Sequence, residues 1–342
     1  VQGSCDMGCL PAVLPGYQPV TDKGARERFS EKWGAAVPAW TGKNSPQMMT
    51  AAKEGKIKAL YIWGEDPGQT HGDLTNIREA LSSLNFLVYQ DLFFTKTAEL
   101  AHVVLPASSF AEKEGTFANT ERRVRLLRRA IPPVGSSRPD WEIFQELSSR
   151  LGLPTDFNAS SEVYDEMASL CDLFRGISHR RLLSHGIQWP CTDESHPGTV
   201  RLYTEGFPQG RASFFAIPYR KPSEKVTAEF PLILTTGRRL YHFNNAAQTR
   251  RTPTAEQKEE ALDMHPRDMT KLNLAEGQTV KIVSRRGEVE IPVRKDASIM
   301  EGVVFASFHD PNLPINLLTG GAGDSYTDTY SYKFTAVRVE AH

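Results

Sequence analysis

The sequence predicts an α/β protein, a doubly wound parallel sheet domain followed by a β-barrel domain. Two observations predict it. Over residues 55–150, short apolar strands alternate with amphipathic helices through brief links, the pattern of a parallel sheet with helices packed on it. From Phe230 onward that texture gives way to short strands of alternating polarity joined by tight turns, which is the pattern of a barrel. The division expected from this is 1–228 for the α/β domain and 229–342 for the barrel. Within the first, the sheet core covers about 55–150 and a helical and loop extension covers about 151–228.

The first strand is "IKALYIW", residues 57–63, ending at "GEDPG". A helix follows in "GDLTNIREALSSL", where Leu74, Ile77, Leu81 and Leu84 fall on one face. "NFLVYQ" is the second strand and stops at Asp91. "TKTAELA" reads as a short helix capped by Thr95, and "HVVLP" as the third strand. Ligands of such sheets bind beyond the carboxyl ends of the strands. Gly64, Asp91 and Pro106 are therefore expected at neighbouring strand ends on one edge. Residues 140–152 form an amphipathic helix with Asp140 as N-cap and Gly152 as its stop. Helices are expected within 160–185, a loop over 188–199 and a strand pair over 200–217. The barrel strands are "FPLILTTG", "QTVKIVSRRGEVEIPVRK" and "GVVFASFH", with a turn at "SRRG" and one short helix in "HPRDMTKLNLAEGQ".

Composition sets limits. Lys+Arg 40 against Asp+Glu 41 leaves a net charge of -1, which argues against nucleic acid or an anionic membrane as partner. No apolar run approaches the ~20 residues of a membrane helix, and a cytoplasmic protein is expected. Residue 1 is Val, and "VQGSCDMG" reads like the interior of a longer protein whose N-terminal part precedes it. Cys5, Cys9, Cys171 and Cys191 are too few and too scattered for a disulfide scaffold. Cys5 and Cys9 could hold a metal at C-x3-C spacing, but no second pair completes a tetrahedral site nearby, so ordinary thiols are the stronger reading.

The polar stretch "TTGRRLYHFNNAAQTRR" opens at a strand end. Gly237 would let backbone amides approach an anion, Arg238 can clamp a phosphate, and Thr236, His242 and Asn244 add donors. By itself an exposed basic loop is the simpler account, as a solvated face is for Glu121, Arg122 and Arg123. "SYK" at 331–333 is likewise an ordinary polar strand end.

The order of the pieces says more. "VQGSCDMGCLP", "PGYQPV", "WGEDP", "YQD", "TAELAHVVLPASSFAEKEGTFANTERR", "RPDWEI", "TTGRRLYHFN", "INLLT" and "YKFTAVRVE" together resemble the molybdopterin-dependent oxidoreductases over the whole chain. Within them the chain looks most like formate dehydrogenase alpha subunits. "VQGSCDMG", "GEDP" and "HPGT" favour that branch over the nitrate reductases. The resemblance implies a double-psi type of barrel. It also implies bis-molybdopterin guanine dinucleotide with Mo or W as cofactor. Gln90 and Asp91 then read one guanosine, and Lys113 and Asp140 touch the same dinucleotide. Thr236, Gly237, Arg238, Arg239, Leu240, Tyr241, His242, Phe243, Asn244 and Asn245 lie over the other pterin, with Phe308, Asn316 and Lys333 completing its contacts. Glu121, Arg122 and Arg123 hold their loop together. His102 departs from the Asp usual at its position.

The same resemblance places an iron–sulfur cluster, the ligand to the metal and the catalytic residues upstream of Val1, so no residue here is catalytic and none a metal ligand. It implies formate oxidation to CO2, with the N-terminal part of the subunit and an iron–sulfur or diaphorase electron-transfer subunit as partners. Three alternatives remain. They are a nitrate reductase-type member, a structural descendant without molybdenum such as the large iron–sulfur subunit of respiratory NADH dehydrogenases, and a non-catalytic fragment.

Overall fold

A computed structural model describes residues 2–153, 155–219, 221–252, 260–321, 324 and 327–341. The chain forms two compact units, one of residues 1–44 with 106–217 and one of residues 45–105 with 218–342.

In the first unit the strands Gly115–Ala118 and Arg123–Leu127 pair as an antiparallel hairpin, with Ile187–Gln188 added beside the second. The turn is built by side chains. Asn119 Oδ1 accepts from the amides of Glu121 at 3.1 Å and Arg123 at 3.0 Å, and Arg122 adopts the left-handed region at φ 66. From there Arg122 donates to the carbonyls of Trp189, Thr199 and Val200. Arg123 reaches Gly186 O and Gln188 Oε1, each at 3.0 Å. Arg122 and Arg123 thus tie 186–200 to the hairpin, as the resemblance implies, and are more than a solvated face. Phe29, Val124, Tyr164, Phe174, Ile177 and Ile187 form the core beneath. Cys171 and Cys191 are buried in it, and burial pushes the Cys171 thiol up to about 11.

Three expectations are corrected in detail. Residues 200–217 form no strand pair; a single bridge joins Phe207 to Gly210, and Phe214, Phe215 and Ile217 stand exposed. Gly206, Pro208 and Gly210 punctuate the segment before a ladder can grow. Asp140 is the first residue of the helix Asp140–Arg150 rather than its cap, because Pro139 occupies that position and the Asp140 carboxylate pairs with Lys113. The short helix after Asp91 shrinks to a single 3-10 turn, Ala98–Leu100, flanked by Thr97. Thr95 donates instead to the Tyr89 hydroxyl at 2.8 Å.

In the second unit Ala59–Trp63 and Phe86–Asp91 run parallel, Trp63 opposite Gln90, and Val103–Pro106 completes a three-stranded sheet. Gly64 N donates to Gln90 O at 2.9 Å, so Gly64 and Asp91 share one edge. The helix Leu74–Ser82 packs Ile77 and Leu81 into the core of the sheet, joined by Leu84 just beyond it, and Leu74 is fully buried too. Helix Ser45–Lys53 adds Met49 and Ala52 to the same core against Leu87 and Tyr89.

The same unit holds a closed six-stranded barrel. In spatial order its strands are Leu262–Met264, Glu288–Lys295, Thr279–Ser284, Thr335–Ala341, Leu232–Gly237 and Val303–Ser307. Two neighbouring pairs are parallel, Leu262–Met264 with Glu288–Lys295 and Val303–Ser307 with Leu232–Gly237. Alternate residues point inward, so Leu234, Val280, Ile282, Ile291, Val293, Val304 and Val337 fill the interior. Among the described residues no helix is long and apolar enough to cross a membrane.

His71 lies in this unit with Ser45 Oγ 2.8 Å from its Nε2. Burial lowers its pKa to about 4. The folded state therefore keeps it neutral while the unfolded chain takes up a proton near its ordinary value of about 6.5. Stability should be full above about 6.5 and fall by on the order of 3 kcal/mol as pH drops to about 4. His71→Asn should flatten that part of the profile, read from urea midpoints across the pH range.

Candidate functional site

The carboxyl ends of the parallel strands carry interlocked acids. Asp66, 2% exposed, accepts from Thr97 N at 3.0 Å and Thr97 Oγ1 at 2.6 Å, while Thr97 Oγ1 also accepts from Gly68 N at 2.9 Å. That lattice closes the "GEDPG" turn over the strand end. Asp91 follows on the next strand. Its Oδ2 takes the Tyr89 hydroxyl at 2.9 Å, and its Oδ1 takes the amides of Leu92 at 2.6 Å and Phe93 at 3.3 Å. Burial raises the Asp91 pKa, against the bonds from Tyr89, Leu92 and Phe93 that lower it. Gln90, fully buried, accepts the Tyr61 hydroxyl.

The barrel strand Leu232–Gly237 delivers the second set. Thr236 Oγ1 donates to Tyr332 O at 2.9 Å, and Lys333 Nζ donates to Thr236 O at 2.5 Å, which joins the 331–333 segment to the loop root. A side chain on Gly237 would stand 2.8 Å from Phe305 Cε2. Glycine lets the Phe305 ring lie there, and the Arg239 guanidinium sits 4.9 Å over that ring. Arg239 donates to Asp263 at 2.6 Å and to Ala261 O at 3.1 Å. Arg238 is exposed, as are Leu240 at 90%, Tyr241 at 55% and Phe243 at 71%. Two consecutive arginines thus have opposite duties, one inward and structural, one outward. Asn244 adopts φ 49, Asn245 Oδ1 accepts from Ala247 N at 3.0 Å, and His242 Nδ1 lies 3.1 Å from Thr249 Oγ1.

Folding brings these two sets into one unit. Asn316 Nδ2 donates to Thr70 O at 2.8 Å, just beyond the "GEDPG" turn. Gln69 Nε2 reaches Phe308 O at 3.3 Å and His309 O at 3.4 Å. Arg251 covers the Phe93 ring at 4.5 Å, two residues from Asp91. Lys113 and Asp140 belong to the other unit, where they pair with each other. Sequence reasoning missed Asp66, Gln69, Glu260 and His309. For Asp66 the "GEDP" turn was a signal; for the others the sequence carries none.

The residues fit a ligand bearing a base and phosphates. Asp91 keeps acceptor lone pairs after its three bonds, as two N–H donors of a guanine edge require. Asn316 Oδ1, Gln69 Oε1 and Asp66 Oδ2 are buried without hydrogen-bond partners. Orphans of this kind are what a missing polar ligand leaves behind.

With that geometry in place, the chain belongs to the molybdopterin oxidoreductases. Residues 7–150 match the family molybdopterin oxidoreductase and residues 232–336 match the molydopterin dinucleotide binding domain. Several of its curated relatives are named formate dehydrogenases. It is 41% identical over 346 residues to a formate dehydrogenase subunit alpha of Methanocaldococcus jannaschii, covering 99% of this chain and 51% of that protein. It is 35% identical over 350 residues to formate dehydrogenase H of Escherichia coli, covering 99% of this chain and 49% of that protein. The chain therefore spans about half the length of these relatives. In fold it resembles the acetylene hydratase of Pelobacter acetylenicus, with TM-score 0.70 at 17% identity over 93% of this chain and 50% of that one.

The two arginines make a direct test. Arg239→Met strips Asp263 and Glu260 of a shared counter-charge and should destabilise by roughly 3–5 kcal/mol, the range for breaking a buried pair. Arg238→Met should change stability by less than about 0.5 kcal/mol. Urea unfolding of both variants distinguishes the roles.

Proposed function

We propose that the chain is the cofactor-holding part of a formate dehydrogenase, built around bis-molybdopterin guanine dinucleotide with Mo or W. The observation that supports it most is alignment of nearly the whole chain with formate dehydrogenase alpha subunits, through both of its family domains. When bound, the pterin-held metal supplies the two-electron oxidation of formate to CO2, and the protein contributes binding and orientation. Gln90 and Asp91 receive a guanine edge, and Lys113 and Asp140 add further contacts to a dinucleotide. Thr236 to Asn245 contact a pterin dinucleotide, with Arg238 on phosphate and Leu240, Tyr241 and Phe243 as its apolar cover. Phe308, Asn316 and Lys333 complete the set. Iron–sulfur clusters and a partner subunit would take up the electrons, the remainder of the subunit would provide the metal ligand, and the enzyme would work in the cytoplasm. As sequence domains we keep 1–228 and 229–342, a division distinct from the compact units, which group residues 45–105 with the barrel.

Metal and pterin analysis of the full-length enzyme, with formate-dependent dye reduction, tests the whole reading. Molybdenum or tungsten with nitrate-dependent rather than formate-dependent turnover would move the chain to the nitrate branch, and a metal-free, inert enzyme would make it a structural descendant. Within that enzyme, Asp91→Ala should lower cofactor retention more than turnover per bound metal. Two hydrogen bonds to a charged acceptor are worth roughly 3–6 kcal/mol, so wild-type metal and pterin content in the variant would remove Asp91 from the guanine site. Amide exchange over residues 236–245 should slow on cofactor loading, and equal protection with and without cofactor would return the segment to a plain basic loop.

A further inference from the structure

A cluster just beyond the barrel strand ends shares only His242 with the pterin reading. His309 is 1% exposed, and neither of its ring nitrogens has a hydrogen-bond partner. Beside it, Glu260 Oε1 stands 3.6 Å from His309 Nδ1, beyond hydrogen-bond reach, and Glu260 Oε2 lacks a hydrogen bond as well. The His242 ring meets His309 edge-on at 4.8 Å between centroids. Thr249 occupies His242 Nδ1, which leaves Nε2 for another bond. One ligand-capable atom from each of the three residues lies within 4.8 Å of the others.

We propose that His242, Glu260 and His309 bind a divalent transition-metal ion of the zinc type, separate from any metal carried by a pterin. Two imidazoles and one carboxylate are a donor set that zinc takes, with a water as fourth ligand. Two nitrogen donors argue against magnesium or calcium, which prefer oxygen. Imidazole coordinates through a ring nitrogen lone pair, and Nε2 of His242 is the one that Thr249 leaves open. Tetrahedral bonds of about 2.0–2.1 Å bring ligand atoms to roughly 3.3 Å, so the cluster must tighten on binding. His242 lies on a loop outside the strand ladder, where that adjustment is easiest. Nearby cations oppose the ion only in part. Arg239 makes its short bond to Asp263 at 2.6 Å and stays 3.6 Å from Glu260, while Arg250 donates to His309 O at 3.0 Å. The Thr249 contact would fix the tautomer of His242, as outer partners of metal-bound histidines do.

His242 is shared with the pterin reading but Glu260 and His309 are not, so variants at these two residues in the pterin-free chain test the metal site apart from the pterin. The test is titration of the chelator-treated, pterin-free chain with Co2+ and then Zn2+. One Co2+ should bind with the strong visible absorption of a four-coordinate centre, and Zn2+ should displace it. His309→Gln and Glu260→Gln should each weaken binding at least about tenfold while leaving the circular dichroism of the fold unchanged. Should His309→Gln fail to fold, the isosteric Glu260→Gln decides. Absence of stoichiometric Co2+ binding at millimolar metal, or unchanged affinity in the folded variants, overturns the proposal.

Discussion

A charged carboxylate inside a β-barrel wall has to be answered by fixed cations, and Asp263 sets this condition for the second unit. It is 3% exposed and receives Arg239 and Arg294, both at 2.6 Å. Removing a carboxylate from water is unfavourable by several kcal/mol unless such partners are in place. Arg239 is thereby drawn inward, Phe305 lies flat beneath it, and only glycine fits at position 237. The chain then leaves the barrel with Arg238 and the apolar residues of the loop turned outward. The presentation of the loop is thus a by-product of neutralising one buried acid.

The parallel-strand edge follows similar logic at smaller scale. Asp66 and Asp91 are each held by backbone amides and hydroxyls rather than by a cation. Hydrogen bonds of this kind fix carboxylates in position while leaving lone pairs available. Such a group is rigid without being satisfied, which suits recognition of a planar donor edge.

Much of this was legible in the sequence, for definable reasons. The spacing of Leu74, Ile77, Leu81 and Leu84 reports a helix face directly, and all four are buried. The stop of an apolar strand at Asp91 put that residue at the strand's carboxyl end, where the structure has it. What failed was local competition. Asp140 looked like a cap but Pro139 had the position, and the aromatic run near 214 looked like strand while glycines and a proline broke the ladder. Arg238 and Arg239 cannot be told apart by type, because the difference lies in which faces a strand carrying Asp263. Glu260 and His309 were unreadable, since only barrel closure brings them together.

The closing strand has a consequence for how the protein is made. Thr335–Ala341 pairs with Thr279–Ser284 on one side and Leu232–Gly237 on the other, so the strand that comes last in sequence among those of the barrel is also its seam. Until it arrives, both partners present unpaired amides and carbonyls along an apolar ribbon, the template for intermolecular pairing. Emerging from the ribosome, the barrel therefore stays open through almost all of its own synthesis. A nascent chain stalled just short of these seven residues exposes two ladders at once, and its fate is set by how long they wait.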